Sequence, residues 1–194
     1  MRIIALATVA LLVLTVSACD DPNDGLFDPI IQEDTVDLAA PLVDPEIPTA
    51  LDVALAASGV RGRFPELVAD AEEWDLAIRR EDGVLVFVPA ATFGFQNPNP
   101  IGGLSRAAVT VPLERAMEEV IEAPGQSSLL SDTTITIRTD RIYVVRSRRT
   151  AASFAGCENY AKVQPLAVDP VAGTVKLRLI GNARCNDPRL AEEG

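Results

Sequence analysis

The alternation of apolar and polar residues is clearest near the C-terminus, in the stretch YAKVQPLAVDPVAGTVKLRLI. Two runs of period two flank the turn-forming segment DPVAG, which is typical of a β-hairpin. A turn centred on Val171 gives one face small and apolar residues and the other face polar ones. The first face holds Ala161, Val163, Pro165, Ala167, Val175, Leu177 and Leu179, and the second holds Lys162, Gln164, Lys176 and Arg178. Pro165 also indicates an edge strand or a bulge, because proline cannot donate to a sheet.

The same register sets the two cysteines of the C-terminal half, Cys157 and Cys185, opposite each other at the open end of this hairpin. The alternation and the cysteine positions are independent features, so their agreement predicts a Cys157–Cys185 disulfide. Closing a loop of this length stabilises a protein by about 3–4 kcal/mol. Two catalytic thiols are the alternative, but the pair has no CxxC spacing and no nearby base.

A second hairpin is predicted in WDLAIRREDGVLVFVPA, where an Asp-Gly turn signal separates two apolar runs. A helix from Pro65 to Arg80, ending at Gly83, competes with this interpretation. The choice decides whether this part of the chain adds two strands to the fold.

A third hairpin is predicted in TTITIRTDRIYVVRSR, which also alternates. With Thr139 and Asp140 in the turn, Ile137 faces Ile142 and Ile135 faces Val144. All four side chains would then lie on one side of the sheet.

Three segments have the features of short helices. TALDVALAASG begins with the capping residue Thr49 and ends at Gly59. PELVADAEEW has proline at its first position. PLERAMEEVIEAPG is the clearest of the three, because its apolar residues Leu113, Ala116, Met117, Val120 and Ile121 fall on one helical face.

These elements predict a mainly β (α+β) fold, an antiparallel sheet or sandwich built from hairpins with two or three short helices. The length of 194 residues suggests one domain. We expect the β-rich domain to span residues 49–189 and to be followed by a tail at 190–194.

The N-terminus has the three-part plan of a secretory signal peptide, expected over residues 1–18: Arg2, an apolar run, then small residues. The run is short for a membrane span, which disfavours an uncleaved anchor helix. The segment VSAC resembles a bacterial lipobox, with Val16 where leucine is commonest. The resemblance implies that Cys19 becomes the first mature residue and carries lipid. The alternative is an ordinary cut after Ala18 that leaves Cys19 as a free thiol prone to oxidation.

Residues 20–48 are rich in carboxylates and prolines and have no basic residue. Such a composition is poorly suited to packing. We therefore expect residues 19–48 to be a lipidated, acidic, proline-rich tether that lifts the domain off the membrane.

The net charge of −11 is unevenly distributed. The chain is acidic from Asp20 to Asp82 and basic from Thr133 to Arg189. The two halves could face each other or be separately solvated. The more specific alternative is a basic binding face on the C-terminal half. The pI of about 4.4 and the lack of a basic motif argue against nucleic-acid binding.

The chain contains no histidine, which removes Ser-His-Asp and Cys-His catalysis and imidazole-based metal sites. No Gly-Lys-Ser/Thr phosphate-binding loop occurs. A Ser–Lys dyad would need Lys162 or Lys176, and both are expected on a solvent-facing strand surface. A glycoside hydrolase would need a pair of carboxylates, and no pair of acidic residues in the sequence stands out from the others. The composition therefore favours a protein that is not an enzyme and uses no cofactor.

Two stretches, WDLAIRR and IYVVRSR followed by NYAKVQPLAVDPVAGTVKLRL, resemble the HmuY-like haem-binding lipoproteins. The resemblance implies a β-rich, lipid-anchored protein. Members of that family hold haem iron with histidines, which this chain lacks. Haem would need Met117, Tyr143 or Tyr160 as its ligand, or would lie unligated in an apolar cleft.

The sequence thus predicts an exported, lipid-anchored protein of the bacterial cell envelope, on the periplasmic face or the cell surface. Its expected role is that of a non-catalytic binding or structural module. Its expected partners are the membrane, through the lipid, and an envelope protein or a small apolar ligand. A haem carrier and a carboxylate hydrolase are the alternatives.

Overall fold

Strands dominate the computed structural model of the chain, which describes residues 28–54, 59–71, 73–93, 106–150 and 156–192. The strands are β1 (Ile31–Ala39), β2 (Ala50–Asp52), β3 (Arg61–Arg63), β4 (Leu76–Glu81), β5 (Val84–Pro89), β6 (Ala108–Thr110), β7 (Leu129–Leu130), β8 (Ile135–Thr136), β9 (Tyr143–Arg146), β10 (Tyr160–Asp169) and β11 (Thr174–Asn182). Short 3₁₀ helices lie at Ala90–Phe93, Met117–Glu119 and Gln126–Ser128. The predicted mainly β class with few short helices is therefore confirmed.

The strands form two antiparallel sheets whose facing surfaces enclose the main core. The first sheet has the order β1-β11-β10-β9-β6-β7 and the second β3-β2-β4-β5-β8. Buried side chains of both sheets meet between them, including Leu38, Leu51, Phe87, Tyr143 and Leu177. The Phe87 and Tyr143 rings pack edge to face across this core with centroids 5.0 Å apart. This packing of sheet on sheet removes the largest apolar side chains from water.

The C-terminal hairpin is confirmed with its predicted register. β10 pairs with β11 from Tyr160–Asn182 through Pro165–Leu177, and the register then shifts between Pro165 and Ala167. The predicted bulge is therefore present. It turns Ala167 outward, contrary to the prediction, and brings Val168 against the core instead.

The hairpin of β4 and β5 is also confirmed, with Glu81 paired to Val84 around the Asp-Gly turn. Asp82 and Gly83 both have positive φ, which this turn requires and which glycine adopts without strain. The competing helix from Pro65 to Arg80 is therefore wrong.

The third predicted hairpin is wrong, because its two strands enter different sheets. β8 pairs with β5, whereas β9 pairs with β10 and β6. Ile135 and Ile137 consequently lie in the main core, while Ile142 and Val144 pack on the outer face of the first sheet.

The predicted helices at 49–59, 65–74 and 112–125 do not form in the described residues. The first becomes β2, because Leu51 and Val53 alternate into the core. The second forms a series of turns. The third keeps only the short 3₁₀ helix Met117–Glu119 and crosses the outer face of the first sheet, with Met117 and Val120 packed beside Val144. Tertiary pairing and burial override local helix propensity in the first and third segments.

The predicted tether is wrong for residues 31–39, because these residues form β1. β1 pairs with β11 over its whole length, from Ile31–Asn182 to Ala39–Thr174. Leu38 is fully buried, and Glu33 forms an ion pair with Arg178 at 2.7 Å. The signal peptide, Cys19 and the first part of the tether lie outside the described residues.

Two predictions of solvent exposure, for Lys162 and for the tail at 190–194, are also wrong near the outer face of the first sheet. Lys162 is buried, and its Nζ donates to the Val120 carbonyl at 3.0 Å. Burial lowers the pKa of Lys162. Leu190, expected in a tail, is fully buried and donates its N–H to the Ile121 carbonyl. Both corrections arise because the segment around Val120 covers this face.

Candidate functional site

An apolar cavity of about 440 Å³ lies between two loops at one end of the molecule. One loop, residues 40–48, connects β1 to β2, and the other, residues 64–75, connects β3 to β4. The cavity is lined by Leu42, Asp44, Pro45, Ile47, Thr49, Phe64, Glu66 and Leu67. This volume is in the range of small-ligand sites, which are concave and mostly apolar with a few polar groups.

Two smaller cavities continue this space on either side. One, of about 180 Å³, shares Thr49 and Glu66 and extends to Trp74 and Phe93. The other, of about 350 Å³, shares Ile47 and extends to Asp37 and Asp169. We call the three adjoining cavities the apolar groove.

The loop that contains Leu42 is held in place by backbone contacts at both of its ends. The Ala40 N–H donates to the Gly173 carbonyl at 2.7 Å, and the Ala39 N–H donates to the Pro48 carbonyl at 3.0 Å. A Cβ at Gly62 would collide with the Pro48 ring, so glycine there allows the close approach. The loop of residues 40–48, which forms one wall of the groove, is therefore held in place by contacts with neighbouring parts of the two sheets.

Leu42 has an unusual conformation at the tip of this loop. Its φ of 67° lies in the left-handed region, and its relative exposure is 102%. A leucine in that region is disfavoured by the clash of its Cβ with the backbone. A strained, fully exposed apolar residue beside a cavity is more typical of a binding surface than of a structural position.

One end of the groove is aromatic. The Trp74 and Phe93 rings pack edge to face with centroids 5.7 Å apart, and Arg79 lies 5.8 Å from the Phe93 centroid. Trp74 is buried and donates its indole N–H to the Ala71 carbonyl at 3.1 Å. This cluster forms a rigid end wall.

Carboxylates predominate among the charged groups of the groove. Glu66 accepts a hydrogen bond from the Thr49 hydroxyl at 3.1 Å, and Asp44 accepts one from the Glu46 N–H at 2.8 Å. Asp37 and Asp169 lie at the far end. The groove can therefore hold apolar groups on its floor and cations at its rim.

A separate cluster of buried charges lies between β2, the start of β4 and the chain after β9. Asp52 and Asp75 have fully buried side chains. One guanidinium nitrogen of Arg148 lies 3.0 Å from Asp52 and 3.1 Å from Asp75. Arg63 donates to Asp52 at 2.7 Å. Two carboxylates and two guanidinium groups therefore balance each other, and we call them the buried ion cluster.

Backbone donors complete the surroundings of Asp75. Its carboxylate accepts N–H groups from Val53 at 2.7 Å, Ala54 at 3.1 Å and Arg148 at 2.7 Å. Burial raises the pKa of Asp75, against the opposing effects of Arg148 and these backbone donors. The cluster joins the acidic half of the chain to the basic half. The simplest charge interpretation, that the two halves face each other, is thus confirmed at these residues.

The buried ion cluster also bears on the paired-carboxylate alternative. Asp52 and Asp75 are two carboxylates that the fold brings to one cation, but neither side chain is accessible to a substrate. Both are saturated with donors. Their arrangement therefore stabilises the contact between distant segments and does not offer an acid–base pair.

The predicted disulfide between Cys157 and Cys185 is present, with Cα atoms 4.9 Å apart. Hydrogen bonds of Asn186 flank it: its N–H donates to the Glu158 carbonyl, and its amide group donates to the Gly156 carbonyl. The disulfide closes the end of the β10–β11 hairpin, as the register predicts.

The three residues considered as haem ligands do not converge on one site. Tyr143 is in the main core, where its hydroxyl donates to the Thr136 carbonyl at 2.8 Å. Met117 and Tyr160 pack on the outer face of the first sheet. Lys162 lies beneath the same outer layer, and Lys176 borders the far end of the groove.

Metal-ligand clusters and membrane-spanning helices are both absent from the described residues. No three His, Cys, Asp or Glu side chains there are grouped so that they could hold a metal ion. No helix in the described part of the chain is long and apolar enough to cross a membrane.

No family model, no curated protein and no solved structure matches this chain.

The groove was not predicted from the sequence, because its residues come from loops with no shared motif. Leu42 lies between Pro41 and Pro45 and two residues before Asp44, a pattern that gives only a weak signal of an exposed apolar turn.

Proposed function

We propose that this protein is a non-catalytic binding module of the bacterial cell envelope, anchored by lipid on Cys19, with the apolar groove as its binding site. The groove carries the proposal, because it is a preformed apolar space bounded by fixed loops and carboxylates. The lack of histidine supports a non-catalytic role. So does the burial of Asp52 and Asp75.

The described chain begins at the end of β1 that is remote from the groove. The chain enters the domain near Arg184, whose guanidinium donates to the Asp28 carbonyl. β1 then runs from Ile31 to Ala39 before the groove loop begins. A strand of this length spans about 30 Å. Cys19 therefore precedes, in the chain, the end of β1 that lies away from the groove.

Cys19→Ser is expected to abolish incorporation of labelled palmitate into the protein, because only the Cys19 thiol can accept the lipid in the lipobox. The measurement is label recovered with the immunoprecipitated protein from growing cells. Cys185→Ser is the matched control and should keep the label. Undiminished labelling of the Cys19→Ser variant would contradict the anchor.

The groove itself is tested with Nile red, a neutral fluorescent probe for apolar sites. The mature chain from residue 19, with Cys19→Ser so that no detergent is needed, should bind it saturably with a blue-shifted emission. Ile47→Asp should weaken binding by at least about tenfold, because it buries a carboxylate at the point shared by two cavities.

Ile121→Asp is the control for that experiment. Ile121 is 63% exposed and lines none of the three cavities, so its substitution should leave Nile red binding unchanged. Equal loss of binding in both variants, or no saturable binding to the parent chain, would refute the groove as a binding site.

A further inference from the structure

Exposed apolar side chains cluster beside the groove. Leu42 and Leu67 line the groove itself, and Val68 follows in the chain with 96% exposure. The turn of the C-terminal hairpin adds Val171, which is 91% exposed. This turn adjoins the groove loop, because a Cβ on Gly173 would lie 2.9 Å from a Val43 methyl group. Several loops therefore present apolar tips at one end of the protein.

Charged groups around these tips are mainly negative. Asp37, Asp44, Glu66 and Asp169 line the groove. Three cations lie beside the groove or these tips in the described residues, and one of them, Arg79, is ion-paired with Glu81. Lys176 lies opposite Asp37 in the β1–β11 register, and Arg80 donates to the Val171 carbonyl at 2.8 Å. An apolar surface with a carboxylate rim favours an occupant that is itself apolar and positively charged.

The same charges disfavour three other occupants. A second copy would bring the two carboxylate rims together. The chain's own residues 20–27 are acidic, and the described chain begins at the end of β1 remote from the groove. An anionic lipid surface would be repelled by the rim.

We propose that the apolar groove and the exposed tips of Leu42, Leu67, Val68 and Val171 bind a segment of a partner protein whose apolar side chains are flanked by lysine or arginine. The inference rests on the proposed function, since it names the class of ligand that the groove binds. Apolar contacts supply the affinity, and the carboxylate rim selects against neutral and acidic segments.

Two fluorescein-labelled peptides test this inference against the mature chain carrying Cys19→Ser. Both have the same Val-Leu-Ile-Leu centre, and one has lysines and the other glutamates on both flanks. The lysine-flanked peptide should bind saturably by fluorescence anisotropy, at least about tenfold more tightly than the glutamate-flanked one. Raising the salt concentration should reduce that preference.

Variants separate the apolar and charged contributions. Leu42→Asn should weaken the lysine-flanked peptide by about tenfold without harming the fold, because Leu42 makes no buried contact and asparagine tolerates positive φ. Asp44→Asn combined with Glu66→Gln should remove most of the charge preference. Ile121→Asn, at an exposed site far from the groove, should change neither.

The outcomes distinguish this inference from the proposed function. If Nile red binds but the two peptides bind equally or not at all, the groove remains a binding site and the basic, apolar partner is refuted. If neither Nile red nor a peptide binds saturably, both proposals are refuted. A peptide preference that survives both groove variants would place binding elsewhere and overturn the inference.

Discussion

Replacing Arg148 with methionine is expected to lower the free energy of unfolding by about 3–5 kcal/mol. Arg148 is the cation shared by Asp52 and Asp75, whose side chains are fully buried. Without it, two carboxylates would remain in a dry site with Arg63 as the only guanidinium group that contacts Asp52 within the described residues. Methionine keeps much of the side-chain volume, so the loss would reflect charge more than packing.

Urea unfolding followed by circular dichroism measures this effect. Arg178→Met is the matched control, because Arg178 is partly exposed and pairs with the exposed Glu33. A surface pair of this kind contributes at most about 1 kcal/mol. The Arg148 variant would contradict the interpretation if its unfolding free energy matched that of the Arg178 variant, since water would then be solvating the cluster.

The deficit of the Arg148 variant should also depend on pH. Burial already raises the pKa of Asp75, and loss of Arg148 removes an interaction that lowers it. A group whose pKa is raised on folding favours the folded state below its unfolded pKa and loses that contribution as the pH rises. The Arg148 variant should therefore be less impaired at about pH 4 than at neutral pH. An equal deficit at both values would show that Asp75 is not the group left unpaired.

The C-terminal hairpin could be predicted in detail because its information is local. The alternation of Ala161 and Val163 with Leu177 and Leu179 admits one register, since a shift by one residue would expose the apolar face. Pro165 marked the bulge for the same local reason. The outward turn of Ala167 could not be predicted. It depends on which residue after the bulge pairs first with β11, and here Ala167 pairs with Lys176.

The third hairpin failed because turn signals do not specify which strands pair. Thr139 and Asp140 do form a turn, yet β8 and β9 separate to join opposite sheets. The Tyr143 hydroxyl still connects them by accepting the Arg138 N–H and donating to the Thr136 carbonyl. Pairing across the whole chain, rather than local pattern, decided this outcome.

β1 had a detectable signal that its acidity concealed. Val36 and Leu38 alternate with Thr35 and Asp37, which is a strand pattern. The carboxylates of this segment are accommodated by partners from distant parts of the chain, such as Arg178 for Glu33. The groove was harder to predict, because it exists only once β1 and the loops after β1 and β3 are brought together.

Loss of the Cys157–Cys185 disulfide is the second large effect that the structure predicts. The bond closes a loop with a sequence separation of 28 residues. Constraint of an unfolded loop of this length corresponds to about 3–4 kcal/mol at 25 °C. The double variant Cys157→Ala, Cys185→Ala should therefore unfold at markedly lower urea concentration. It should remain folded in water, because the hydrogen bonds of Asn186 and the β10–β11 ladder still hold the hairpin end together.

Chemical reduction provides the matched comparison for that variant. Reduced parent protein and the double alanine variant should have the same urea midpoint within error, whereas the oxidised parent should be more stable by the amount given above. The parent purified without reductant should show no free thiol in denaturant, since the lipid is expected on Cys19 and the other two cysteines are paired. Two reactive thiols per chain, or an unchanged midpoint on reduction, would mean that the hairpin is held by its backbone ladder alone and that the cysteines add nothing to its stability.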